Sequence, residues 1–176
     1  VEGIAELWRR MAETPRLKRL VDAILFIEQP IKRAVASSRP VAALARRRPL
    51  IIDESDGELD SFPAGLALGY AGVSSKNCKG FYKSLLNAAR VAKLNGEAAE
   101  TRYFMSAEDL TTWAGISVQQ DLALVSLLGL THVERNGHHF IDGMGFASEG
   151  EQRSFVAAHP DLYAKGAGRP ARLRIE

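Results

Sequence analysis

The chain has 176 residues, 46% of them hydrophobic and 25% charged, with a formal net charge of +2. That length holds one ordinary domain with a sizeable core, and the balance of apolar and charged residues excludes a disordered chain. The near-neutral charge gives no electrostatic ground for nucleic-acid or anionic-membrane binding, and a single cysteine, Cys78, excludes an internal disulfide framework and a cysteine-based zinc cluster.

No apolar run approaches the ~18 residues of a membrane span, and the amino terminus carries no signal-peptide pattern. A reducing, cytoplasmic setting is therefore expected. The chain opens Val-Glu-Gly without a methionine, inside a helical pattern, so the expectation is a fragment of something longer.

In chain order, residues 2–12 (EGIAELWRRMA) place Ile4, Leu7, Trp8 and Met11 on one helical face. ETPRLKRLVDA reads as a basic connection, and ILFIEQP as a buried strand closed by Pro30. Ser38-Arg39-Pro40 opens a short Ala/Arg helix to about Arg48, with the serine as N-cap and the proline in the first turn. PLIID is a second strand, 61–69 (SFPAGLALG) a brief helix ended by Gly69, and GVSSK a third strand. In 81–94 (FYKSLLNAARVAKL), Lys83, Asn87, Arg90 and Lys93 share one helical face, while Phe81, Leu85, Ala88 and Ala92 share another, the apolar one. TRYFM is a fourth strand, SVQQDLALVSLLG a more apolar helix, and THVERNGHHFI a fifth strand or hairpin. Ser148 and Glu151 have capping-box spacing for a last helix to Ala158, and KGAGRPARLRIE reads as a turn and an extended segment.

Strands and helices thus alternate, with strand ends recurring about every 25 residues. Continuous apolar strands such as ILFI and LII are what a parallel sheet covered by helices requires. Right-handed crossovers put every carboxyl end on one rim, so Glu28, Asp53 and Lys76 should converge. A closed eight-unit barrel typically needs ~250 residues. The expectation is an α/β fold made of about five β/α units, a partial TIM barrel. Residues 1–160 would be its carboxy-terminal part and 161–176 an extended tail.

FIEQP, then PLIIDES, then GVSSKNCKG, at this spacing, resemble the carboxy-terminal barrel of the enolase superfamily, closest to its muconate-lactonising-enzyme and mandelate-racemase-like branch. The resemblance implies that strands end in acidic ligands for one essential magnesium ion (manganese is the alternative) and that a further strand ends in a catalytic lysine. Carried over, Glu28 and Asp53 are metal ligands, Lys76 the acid/base lysine and Glu54 an adjacent acid that positions the lysine or a ligand. The implied reaction removes a proton alpha to a carboxylate of a small substrate. A hard cation on oxygen ligands stabilises the enediolate that forms, and a lysine beside that cation has its charged form disfavoured and serves as base. Dehydration, racemisation and cycloisomerisation all fit. The family's third acidic ligand, its other lysine-bearing strand and its capping domain are expected to lie outside this chain. The 176 residues alone are then expected to be inactive, with exposed strand edges that favour self-association or contact with the missing amino-terminal part. The tail would return toward the capping domain.

Asn77, Lys79, Ser106, Glu108 and Asp109 follow strands on the same rim and are candidate substrate contacts, with helix capping as the competing role of the last three. His132, His138 and His139 complete no acid-containing metal motif, and packing or substrate contact suits them better. Arg46, Arg47 and Arg48 precede a strand at its amino end, where charge speaks to stability. Residues 106–130 (SAEDLTTWAGISVQQDLALVSLLGL) also resemble a helix-turn-helix. Its second helix is nearly all apolar, however, and carries Asp121 where phosphate contact would need basic groups. A third reading is a non-catalytic barrel that serves as a scaffold.

Overall fold

The computed structural model describes residues 1–108 and 113–174, and all statements of structure below concern these. Five strands, β1 (Ile27–Glu28), β2 (Leu50–Ile52), β3 (Gly72–Ser75), β4 (Phe104–Glu108) and β5 (Val133–Glu134), form one sheet in consecutive order. The pairs β1–β2, β2–β3 and β4–β5 are parallel, with Ile27 opposite Leu50, Ile51 opposite Gly72 and Ala107 opposite Val133. The protein is therefore α/β, with the strand order of successive β/α units. No helix among the described residues is long and apolar enough to cross a membrane.

The chain divides into two compact units. The first comprises Val1–Ser75 and Lys79–Ser106, and the second Lys76–Cys78 and Ala107–Glu176, so that β4 contributes to both. In the first unit, helix α1 (Glu2–Ala12) forms where the 3.6-residue pattern places it and buries Trp8. The expected basic connection after it is instead a short 3₁₀ turn and a helix, α2 (Lys18–Ala23). The expected Ser38-capped helix is also different. Two single-turn helices, α3 (Arg33–Ala36) and α4 (Ala42–Ala45), flank Ser38-Arg39-Pro40, because the residue before a proline is pushed to extended backbone and breaks a continuous run.

Strand β1 is shorter and less buried than ILFI promised, with Leu25 65% exposed. Strand β2 is as expected: Leu50, Ile51 and Ile52 are all but inaccessible, and the core of Val41, Leu44, Phe62, Tyr70 and Val73 closes over Leu50 and Ile52. Helix α5 (Ser61–Leu68) ends at Gly69, whose φ of 107° is left-handed; a side chain there would also collide with the backbone of Ala42 at 2.7 Å.

Helix α6 (Phe81–Glu97) buries part of its polar face. Its buried residues are Lys83, Ser84 and Asn87, while on the apolar face Phe81 and Ala92 are exposed and Leu85 and Ala88 half-buried. The polar stripe turns inward because it meets polar partners: the Ser75 hydroxyl donates to Ser84 at 2.9 Å, and Lys83 pairs with Asp56. Periodicity identified the helix but not which face the core would want.

In the second unit, helix α7 (Ile116–Leu128) buries Val118, Asp121 and Leu124. THVERNGHHFI resolves into β5 followed by a 3₁₀ turn over Gly137–His139. The capping box is present: Ser148 Oγ accepts from the Glu151 N–H and the Glu151 carboxylate accepts from the Ser148 N–H, opening helix α8 (Glu149–Ala158). The tail is an antiparallel pair, β6 (Tyr163–Lys165) with β7 (Ala171–Leu173), packed around Met144 and Tyr163.

Candidate functional site

Each residue singled out by the strand-end argument sits at the end of a described strand. Glu28 is the last residue of β1, Asp53 follows β2, Lys76 follows β3 and Glu108 ends β4. In the first unit, Glu28 and Asp53 each present a carboxylate oxygen, the two within 4.8 Å of one another. Asp53 is inaccessible to solvent. An all-oxygen, anionic donor pair at that separation fits a hard divalent cation.

Asp53 is held from several directions. Lys79 Nζ donates to its Oδ1 at 2.7 Å, to its main-chain carbonyl at 2.8 Å and to the Ser74 carbonyl at 2.9 Å, which saturates the three N–H bonds of the ammonium. The Asp53 N–H donates to Gln29 Oε1 at 3.1 Å, and the Asp56 N–H donates to the Asp53 carbonyl at 2.9 Å.

Asp56 is 2% exposed, and its Oδ2 lies 2.9 Å from the Nζ of buried Lys83, which also donates to the Asp56 main-chain carbonyl. Its Oδ1 has no hydrogen-bond partner. Burial pushes the Asp56 carboxyl above its usual value, with Lys83 and Lys79 pulling in the other direction. Glu54 is exposed. Of the two acids that follow Asp53 in the loop, it is thus Asp56 that lies inside. The sequence offered no way to rank them, since the loop's turn decides which side chain folds back.

In the second unit, Lys76 is 4% exposed and its Nζ lies 2.6 Å from Glu108 Oε2. Glu108 Oε1 accepts from Asn136 Nδ2 at 3.0 Å, so both oxygens of that carboxylate are held. Asn77 Nδ2 donates to Gln120 Oε1 at 3.3 Å, and Arg135 pairs with buried Asp121 at 2.5 Å. Asn136 and Arg135 lie in the HVERNGHH turn and carried no motif that would have marked them.

Ser106 is buried in β4, and Glu108 closes that strand, so the helix-turn-helix reading does not begin with a helix at Ser106. Asp109, the remaining candidate substrate contact, lies outside the described residues. Among the described residues no histidine joins a metal-capable cluster, and His132 and His139 are exposed. Arg48 is structural: it donates to the carbonyls of Ile24 and Val21 at 3.1 Å each and lies over the Trp8 ring. Neither a protein-family model nor a curated protein sequence matches this chain.

Proposed function

We propose that this chain is part of a magnesium-dependent enzyme of the enolase-superfamily type, which removes a proton alpha to a carboxylate of a small substrate. Glu28 and Asp53 are the ligands we assign to the ion. The observation that carries the reading is the pair of strand-end carboxylates, one fully buried, with oxygens within 4.8 Å. Keeping the Asp53 carboxylate out of water is costly unless cations compensate it, as Lys79 does in part and a metal ion would further. When bound, the ion supplies positive charge to the oxygens of the enediolate.

Lys76 is the acid/base group in this reading. Its ion pair with Glu108 aims the amine, and the amide of Asn136 keeps Glu108 from turning away. Once it has released a proton, Lys76 as the neutral amine takes the substrate proton and can return it to the same or another atom, which is where racemase, dehydratase and cycloisomerase outcomes diverge. Lys79 fixes the rotamer of Asp53, and Glu54, exposed, is the adjacent acid that would position the lysine or a ligand.

The test has two arms. Electron paramagnetic resonance with Mn²⁺, and calorimetry with Mg²⁺, should show one ion bound by the wild-type protein and none by Asp53→Asn or Glu28→Gln. In D₂O with magnesium and the full-length protein, a panel of small carboxylates should include one whose alpha proton exchanges, and Lys76→Ala should abolish that exchange. Equal ion binding by wild type and Asp53→Asn would overturn the assignment.

A further inference from the structure

Gln29 lies between a proposed ligand and a proline, and its φ of 23° makes it the one non-glycine residue with positive φ among those described. The following proline, Pro30, further restricts the backbone at this position. Backbone of this kind persists where the surroundings over-determine it, often at functional sites.

The surroundings here are specific. The Gln29 main-chain N–H donates to the Ile51 carbonyl at 2.9 Å, which extends the β1–β2 ladder past Glu28. Its side-chain Oε1 accepts two main-chain N–H groups from the neighbouring strand end, Asp53 at 3.1 Å and Ser55 at 2.8 Å. One residue therefore ties the end of β1 to both sides of Asp53. With Lys79 holding the Asp53 carbonyl and carboxylate, the main chain at Asp53 is fixed at its N–H and its C=O.

We propose that Gln29 is the positioning residue that sets the separation of the Glu28 and Asp53 carboxylates, and through it the preference for a small divalent cation. This rests on the metal-site reading above. A magnesium ion demands near-ideal octahedral geometry at about 2.0–2.1 Å, whereas calcium accepts six to eight oxygens at about 2.3–2.6 Å in flexible arrangements. A rigid link between the two ligand-bearing ends favours the former. Loss of the link lets the carboxylates drift and penalises the small ion most. The glutamine supplies a neutral oxygen acceptor, so it braces two carboxylates without adding a third negative charge beside them.

The experiment is competition of Mg²⁺ and of Ca²⁺ against Mn²⁺, read by electron paramagnetic resonance on wild type, Gln29→Leu and Gln29→Glu, with circular dichroism to confirm folding. Gln29→Leu keeps the bulk and removes the acceptor; Mg²⁺ binding should weaken roughly 10–100-fold, the usual effect of losing an outer-shell partner, while Ca²⁺ changes far less. Gln29→Glu restores an acceptor at the same reach; its added charge strengthens binding of both ions, and the Mg²⁺/Ca²⁺ ratio should return to the wild-type value. If Gln29→Leu fails to fold, Gln29→Asn, which withdraws the same amide by one methylene, should show the same loss of preference. An unchanged ratio in the folded acceptor-deficient variant overturns the role of Gln29 and leaves the metal site standing. A wild-type protein that binds neither Mn²⁺ nor Mg²⁺ overturns both.

Discussion

The loop after β2 and the α8/β6–β7 end of the chain place their charges in opposite ways. In the loop, Asp53, Asp56, Lys79 and Lys83 pair with side chains between 0% and 13% exposed. At the other end, Lys165 pairs with Glu149 and Arg172 with Asp142, and three of those four side chains are 47% or more exposed. Exposed pairs contribute little to stability, and evolution can scatter them freely. Buried charges lose their hydration, and replacing them with well-packed apolar groups is often neutral or stabilising. The loop nevertheless keeps four of them together, and Asp56 Oδ1 has no hydrogen-bond partner.

The strongest way to break this comparison is to remove one buried cation. Lys83→Met leaves the Asp56 carboxylate without its closest partner, Lys79 being 3.9 Å away. The expected loss is about 3–5 kcal/mol in urea denaturation. The double variant Asp56→Asn/Lys83→Met should recover most of it, because neither charge then remains buried. Asp56 also fixes a pH signature. Its carboxyl is raised in the folded protein, chiefly by burial, so the folded state holds a proton that the unfolded state has released. Its contribution to stability is therefore full below the ordinary aspartate pKa and declines as pH rises through the higher folded value. Asp56→Asn should flatten that slope; an unchanged slope would show the carboxylate to be better solvated than its burial implies.

Two buried tyrosines sharpen the same contrast at smaller magnitude. Tyr70 and Tyr163 are each 1% exposed. The Tyr163 hydroxyl accepts from the Gly115 N–H at 2.9 Å and donates to the Gly115 carbonyl at 3.1 Å, whereas the Tyr70 hydroxyl has no partner. Tyr163→Phe should cost about 1–3 kcal/mol, since it strands buried main-chain groups, while Tyr70→Phe should be neutral or stabilising. Thermal denaturation of the two variants decides it, and equal losses would mean that the Tyr70 hydroxyl is satisfied in solution.

What the sequence disclosed follows the same division. Strand β2 and the acids after it were legible because a continuous apolar run that stops abruptly at Asp53 suits a buried strand reaching its rim and little else. The capping box at Ser148 was legible because its chemistry is local. The inward face of α6 was not, since Lys83 and Asn87 look like solvent residues until Asp56 is folded beside them. The same holds for Asn136 and for the brace at Gln29, whose partners are 28 and 24 or more positions away. Short-range patterns report which elements form; the polar contacts that equip a site are long-range, and no period in the chain encodes them.

The smallest expected effect lies at the exposed end and tests the comparison from its other side. Ser148→Ala removes the acceptor for the Glu151 N–H and should cost about 1 kcal/mol. The Ser148 N–H and hydroxyl hold the Glu151 carboxyl below its usual value, and the Lys165 ammonium does the same for Glu149. Both carboxylates favour the folded state when ionised, so their contribution is present above the ordinary glutamate pKa and is lost as pH falls through the lower folded values. The sign is opposite to that of Asp56. Hydrogen exchange followed separately in the two regions should therefore show α8 loosening on acidification, while the loop after β2 tightens. Salt should weaken the Glu149–Lys165 share of the α8 response and leave the buried loop nearly unaffected, because screening acts on exposed charges and hardly reaches buried ones.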